Sequence, residues 1–361
     1  NKSARQALFI ITAISVCIVT LGLIFRAPLL SFIFGKVDAD VMDNSMVYFF
    51  YTVLSYPFIA LYDAGASIFR AQENTRGPMV ISIISNVMNI GGNAVLIWVF
   101  HMGVAGAAIS TLVSRIFCAV VVLYQLRKDR QPIAVRDYLN IRPDGNMIKR
   151  ILALGVPSGV ENSMFQLGKL AIQSTVSTLG TTAIAAQAMT NIMEMLNGTA
   201  VIGVGIGLMT VVGQSLGAGR KDEAVYYMKK LMIFSEVFLI ACCAIVYALA
   251  KPITMIGGME PESAKMCLDM IFWITIVKPL VWMPAFIPAY GMRAAGDVKF
   301  SMITSCTTMW VFRFCLCVYL IRVCGMGPMA VWIGMFTDWT VRGIVFSLRF
   351  KSEKWMEHRV V

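Results

Sequence analysis

Ten apolar stretches, each long enough to cross a bilayer, alternate with short polar turns along the 361 residues. They cover about 7–34, 46–69, 79–100, 104–126, 151–178, 187–215, 227–256, 266–291, 300–323 and 328–350. A hydrocarbon core of ~30 Å takes roughly 20 apolar residues per helix, so each stretch predicts one span. The run "MVISIISNVMNIGGNAVLIWVF" at 79–100 carries no charge, and 7–25 is equally clean. The short alternating segments of a transmembrane barrel are absent from the sequence. Helices follow, because in lipid every backbone donor and acceptor must be satisfied within its own segment. The pattern predicts an all-α, polytopic membrane protein.

Composition agrees. Hydrophobic residues make up 58% of the chain and charged residues 14%, with a mean hydropathy of +0.73, against about 45–50% apolar and about 25% charged in soluble domains. No small-residue cleavage site follows the first apolar run, so a cleaved signal peptide is not indicated. The first residue is Asn1 rather than Met, which raises the expectation that the sequence begins inside a longer protein. The nine cysteines lie mostly in apolar spans, and no pair has metal-ligand or redox-motif spacing. The only histidines are His101 and His358, both at helix ends, and no Gly-rich phosphate loop is present. Metal, proton-relay histidine and ATP-driven chemistries therefore find no support.

Charge orients the spans. If the N-terminus is cytoplasmic, the inner segments 1–6, 70–78, 127–150, 216–230, 292–300 and 349–361 hold 21 of the 31 Lys and Arg. The outer segments hold only Lys36 and Lys265, and the first is acidic at Asp38, Asp40 and Asp43. An excess of basic residues on cytoplasmic loops thus places both ends inside. The net charge of +11, spread over short inner loops, points to anionic membrane lipid and not to nucleic acid.

A repeat is also legible. "IFRAQENTRGPM" (68–79) and "YGMRAAGDVKFSM" (290–302) share an Arg-Ala, a turn, a base and a methionine 223 positions apart. "HMGVAGAAIST" (101–111) finds a weaker partner in "GMGPMAVWIGM" (325–335), and Pro28 in Pro252. Offsets of 222 to 224 pair residues 1–126 with about 226–350, in parallel because six spans separate the copies. The two spans of 151–225 have no upstream counterpart, so two helices, about 75 residues by that arithmetic, are expected to precede Asn1. The organisation read from this is an N-terminal bundle 1–126, a cytoplasmic linker 127–150 with Pro132, Pro143, Asp144 and Gly145, a six-helix bundle 151–350 and a tail 351–361.

The segments "FRAQENTRGPMVISIISNVMNIGGNAVLIW", "GVAGAAIST", "GVPSGVENSMFQLG", "VGQSLGAGRKDEA" and "RAAGDVKFSM" resemble, in order and over essentially the whole chain, landmarks of the multidrug and toxic compound extrusion (MATE) family. The resemblance implies the third to twelfth helices of a twelve-helix exporter with two parallel bundles. It also implies alternating access, in which an amphipathic, often cationic compound leaves as Na⁺ or H⁺ enters. A cation site of that family consists of an acid on the first helix, an Asn and an acid four residues apart on the fifth, and a Thr on the sixth. Asn89, Asn93 and Thr111 fall on the last three positions; Asn93 replaces the acid, and a neutral amide coordinates Na⁺ but does not titrate.

The residues themselves suggest further candidates. Asn86, Asn89 and Asn93 share a helical face, either to bond neighbouring helices or to hold an ion. Intramembrane charges are costly and usually face a cavity or a partner. Glu161 and Lys169 lie at i, i+8, too far apart to pair directly, and Glu161 either works in the cavity or snorkels to the inner surface. Gln187, Asn191 and Glu194 form a polar stripe that suits a cavity wall or a buried network. Lys278 sits among Pro279, Pro284 and Pro288 in a helix that must bend, as a gate or as a static kink. Asp63, Glu236, Arg313 and Asp338 have no partners that sequence reveals. The glycines of "VIGVGIGLMTVVG" read as close helix contacts.

These readings converge on a monomeric secondary exporter of small amphipathic molecules in the cytoplasmic (inner) membrane, in contact with lipid, without nucleic acid, cofactor or metal other than the coupling ion. The rival within the wider superfamily is a lipid-linked precursor flippase, for which Lys169, Lys278 and Arg313 speak. An integral-membrane enzyme lacks clustered His, a Ser/His/Asp set or paired catalytic carboxylates.

Overall fold

The computed structural model describes residues 2–34, 39–128, 133 and 143–357. Lys36, Asp38, Pro132 and His358, singled out above, lie outside the described residues. Among the described residues there are thirteen α-helices and no strand. They form two compact units, Asn1–Leu152 and Ala153–Val361.

The first unit contains α1 (Lys2–Ile24), α2 (Arg26–Phe34), α3 (Ala39–Leu54), α4 (Tyr56–Ala71), α5 (Arg76–Ala94), a π-helical turn Val95–Val99 and α6 (Gly103–Leu126). Two predicted spans are thus interrupted. The helix breaks at Phe25, just before Pro28, and at Ser55, just before Pro57. Proline offers no N–H to the preceding turn and crowds its carbonyl. The break at Ser55 is stitched by polar groups: its hydroxyl donates to the Thr52 carbonyl at 2.6 Å and accepts from Arg115 Nη1 at 2.5 Å. A small apolar core of Leu8, Ile68, Phe69, Ile81, Val122 and Leu126 joins α1, α4, α5 and α6.

The long helix α7 (Gly145–Val176) crosses the division, and the second unit continues with α8 (Thr181–Gly217), α9 (Lys221–Ile256), α10 (Pro261–Ala294), α11 (Val298–Thr307), a π-helical segment Thr308–Cys315, α12 (Leu316–Arg322) and α13 (Met329–Lys351). Helix begins at Gly145, so the stretch read as linker ends six residues early. Asp144 is the reason: its Oδ1 accepts from the backbone N–H groups of Asn146 and Met147 at 3.1 and 3.2 Å, capping the first turn. Its Oδ2 meets Lys2 Nζ at 2.5 Å. The Lys2 ammonium first, then the Met147 N–H, hold the Asp144 carboxyl below the ordinary aspartate range.

Eight helical segments among the described residues are long and apolar enough to cross a membrane, fewer than the ten expected spans. The difference falls on α7 and α13, which have the length but carry Glu161 and Lys169, and Asp338 and Arg342, in their interiors. Large apolar side chains stay on the outside, such as Trp98, Leu280 and Ile256, as suits surfaces whose solvent is hydrocarbon.

The two punctuation marks have the same backbone. In the first, Glu73 N–H donates to the Arg70 carbonyl and Asn74 N–H to the Phe69 carbonyl; in the second, Gly296 does so to Arg293 and Asp297 to Met292, all between 2.9 and 3.1 Å. Glu73 and Gly296 both take positive φ, +64° and +88°, which closes the carbonyl end of a helix. At an offset of 224, Met102 N–H to Leu96 O is matched by Met326 N–H to Leu320 O, both 3.0 Å.

Candidate functional site: a charged cavity and a neutral cluster

In the second unit α7, α8, α10, α13 and the π-helical segment line a cavity of about 290 Å³. Its apolar wall is aromatic: Phe165, Trp282, Phe286, Tyr290, Trp339 and Phe346, with Trp282 stacked on Phe286 at 4.9 Å between ring centroids. Its polar wall is made of charges that sequence spacing scattered over 180 residues.

Three ion pairs stand there. Glu161 on α7 accepts from Arg293 Nη2 at 2.7 Å and from the Ser301 hydroxyl at 3.4 Å. Glu194 on α8 meets Lys278 Nζ at 2.6 Å, and the same ammonium donates to the Glu194 carbonyl at 3.0 Å. Asp338 on α13 takes both Arg342 contacts, 2.9 and 3.2 Å, and has Arg313 at 3.9 Å. Lys278 and Asp338 are fully buried. Such burial is tolerable because a charge removed from water must be paired and hydrogen-bonded.

Local structure explains the third pair. Wide π turns present Arg313 from Thr308–Cys315, while Arg342 reaches back to Thr308 Oγ1 at 3.2 Å and the Ser305 carbonyl at 3.3 Å. A side chain at Gly334 would press on the Arg313 carbonyl at 2.8 Å. Glycine there lets α13 approach closely enough for Asp338 to serve both arginines.

The first unit builds a polar centre of another kind. On α5 and α6, Asn89 Nδ2 donates to Thr111 Oγ1 at 3.2 Å, Asn93 Nδ2 donates to Asn89 Oδ1 at 3.4 Å, and the Ser110 hydroxyl donates to the Asn89 carbonyl at 3.0 Å. Asn93 Oδ1 is buried without a hydrogen-bond partner among the described residues. Asn86, on the same predicted stripe, is exposed and outside this cluster.

The MatE family model matches residues 1–95 and 157–319. This chain belongs to the MatE family. Among its relatives, the probable multidrug resistance protein NorM of Thermotoga maritima is 23% identical over 333 residues, 91% of this chain and 71% of that protein. The uncharacterized transporter YisQ of Bacillus subtilis is 25% identical over 343 residues, covering 92% and 73%. Among solved structures, an outward-facing multidrug resistance MATE family transporter of the MOP superfamily superposes with a TM-score of 0.86 at 17% identity, over 98% of this chain and 79% of that one. A MOP superfamily transporter from Pyrococcus furiosus gives 0.85 at 18%, over 98% and 78%. At these identities the structures establish the fold. As a MatE protein the chain is an integral-membrane transporter of the multidrug efflux type.

Within this MatE protein the sequence-derived candidates divide. Glu161, Lys169 and Glu194 line the cavity, with Lys278 directly behind Glu194. Glu161, only 7% exposed and held by Arg293, does not snorkel. Gln187 and Asn191 bond each other at 3.2 Å, but Gln187 turns away to accept from Trp332 Nε1 at 3.1 Å, so the stripe splits after its first turn. Of the glycines in "VIGVGIGLMTVVG", Gly205 lies against the Tyr290 ring, whereas Gly203 and Gly207 have no neighbour there. Sequence reasoning passed over Arg293, Arg342 and Phe165. Arg293 belonged to a loop motif, and Arg342 lay four residues after Asp338, a spacing at which the pair is readable.

Proposed function

We propose that this chain forms the greater part of a secondary active exporter that moves amphipathic organic compounds out of the cytoplasm, coupled to Na⁺ entry. The observation that carries the choice of ion is the buried, unpartnered Oδ1 of Asn93 beside Asn89 and Thr111. Together these side chains offer neutral oxygens and no titrating group, a donor set that suits a hard monovalent cation better than a proton. Binding that cation drives transport only if it favours one access state over the other. The protein acts as a monomer in the inner membrane with the basic loops cytoplasmic, for which their excess of Lys and Arg speaks.

Dye efflux from vesicles containing the full-length protein tests this, with Na⁺ and pH gradients imposed separately. Efflux that follows the Na⁺ gradient and is lost in Asn93→Ala supports the proposal. Efflux driven equally by a pH gradient in the absence of Na⁺ defeats the assignment of the ion. A second reading, a flippase for lipid-linked precursors, is favoured by one observation: the cavity holds more bases than acids.

A further inference from the structure

Among the described residues that line or directly back the cavity are five bases, Lys169, Lys278, Arg293, Arg313 and Arg342, against three acids, Glu161, Glu194 and Asp338. Each acid already holds one base at 2.6 to 2.9 Å. Asp338 therefore serves Arg313 only from 3.9 Å, and no carboxylate among the described residues lies within 4.0 Å of Lys169. Two positive charges remain under-compensated.

They are also gathered. Lys169 Nζ and Arg313 Cζ stand 5.0 and 5.4 Å from the centroid of one ring, Phe165, with Arg342 at 6.0 Å. Arg313 has a side chain only 7% exposed, and its Nε is buried without a partner. A ring face attracts cations far more weakly than a carboxylate in contact, while three cations around it repel one another. In a low-dielectric setting this arrangement costs free energy that a bound anion would relieve.

We propose that the cavity is a site for small amphipathic organic anions, whose carboxylate, sulfonate or phosphate is held by Lys169 and Arg313 and whose apolar body lies along Trp282, Phe286 and Trp339. The inference rests on the exporter reading above and narrows its substrate class. A cationic substrate would have to displace Lys278 or Arg293, both tethered within the same protein, from Glu194 or Glu161. The volume of about 290 Å³ suits a body of one or two fused rings and not a lipid tail.

The test uses the full-length protein and two fluorescent probes that share one body: dansylglycine, a carboxylate, and dansylglycinamide, which is uncharged. Energy transfer from Trp282 and Trp339 reports binding. The wild type is expected to prefer the carboxylate by about tenfold or more, the worth of one charge-assisted contact. Lys169→Gln should erase most of that preference and Lys169→Arg should keep it. Lys169 is exposed and makes no ion pair among the described residues, so its substitution leaves the fold intact, and the preference ratio is insensitive to a purely structural role. Equal binding of the two probes, or tighter binding of ethidium than of dansylglycine, overturns the inference. Gradient-driven efflux of ethidium without dansylglycine binding removes the anion site but leaves the exporter. Dansylglycine binding without movement of any probe keeps the site and removes the exporter. Displacement by polyprenyl phosphate at lower concentration than by free dansylglycine assigns the anion to a lipid headgroup; the reverse order assigns it to a soluble compound.

Discussion

In the first unit three neutral side chains, Asn89, Asn93 and Thr111, meet across α5 and α6, whereas in the second unit eight charged side chains crowd around one cavity. The two units share the punctuation motifs, but Glu161, Lys169 and Glu194 lie in 151–225, which has no counterpart in the first unit, so the contrast separates what the motifs repeat from what each unit builds for itself. The helix-closing hydrogen bonds of the two punctuation marks are matched bond for bond. The chemistry is not. At the offset of 224 that the Leu320–Met326 turn sets, Arg342 stands where the first unit has Cys118 and Asp338 where it has Ser114. Even the turns are used differently: Asn74 Oδ1 accepts from its own Gly77 N–H at 3.1 Å, while Asp297 Oδ2 holds Arg349 of α13 at 2.9 Å. A neutral cluster selects by coordination and a charged cavity by the sign of its surplus.

The sharpest way to break this contrast is to remove the acid on which the charged centre depends. Asp338→Ala leaves Arg313 and Arg342 buried without a carboxylate and should cost about 3–5 kcal/mol, read as a large fall in unfolding temperature in detergent. Replacing Asp338 and Arg342 together by leucine should be milder, and equal losses would mean that the pair is not the support. Glu194→Gln comes next: Lys278 keeps a carbonyl and an amide oxygen but loses its counter-charge. Transport should fall roughly tenfold, the size of one charge-assisted contact, in the same vesicle assay. An unchanged rate and affinity would remove Glu194 from the working cavity.

The neutral centre should respond in the opposite manner. Asn93→Ala removes an oxygen that bonds nothing and one long donation to Asn89 Oδ1 at 3.4 Å, so stability should change little while the Na⁺ response falls. Asn93→Asp installs a titrating group and should make efflux depend on pH as well as Na⁺, whereas a pH-independent variant would place the coupling elsewhere. Asn89→Ala and Thr111→Val should each cost about 0.6 kcal/mol, as an ordinary interhelical bond in a membrane does.

The smallest effect belongs to Asp144. Its carboxyl is lowered by Lys2 and by the Met147 N–H, so the stabilisation it contributes is present above the ordinary aspartate pKa and is lost as pH falls through its lowered value. Asp144→Asn, which retains a capping oxygen, should weaken that acid sensitivity. Amide exchange at Asn146 and Met147, measured against pH, would register the change, and an identical profile in the variant would show that the cap is neutral in effect.

Much of the fold was legible in the apolar runs, because in lipid a long uncharged segment has helix as its only satisfied conformation. The breaks at Phe25 and Ser55 interrupt spans that read as continuous in hydrophobicity, although Pro28 and Pro57 lie within them. The candidate sites were legible only in part. Asn89 and Asn93 share a face, and their meeting with Thr111 entered through the family resemblance. The stripe Gln187, Asn191, Glu194 looked continuous but divides, since one helix face can touch two neighbours, α13 through Trp332 and α10 through Lys278.

The sequence by itself determined which segments are helical, that the protein lives in a membrane, and that two turn motifs recur about 223 positions apart. Hydrophobicity, proline and turn residues act over a few positions, and composition reports them directly. Only the tertiary structure decided which charge answers which. Glu161 and Arg293 are 132 residues apart and Glu194 and Lys278 are 84. Within a bilayer the counter-charge that makes an ion tolerable comes from whichever helix packs beside it. The surplus left on Lys169 and Arg313 is a property of that packing.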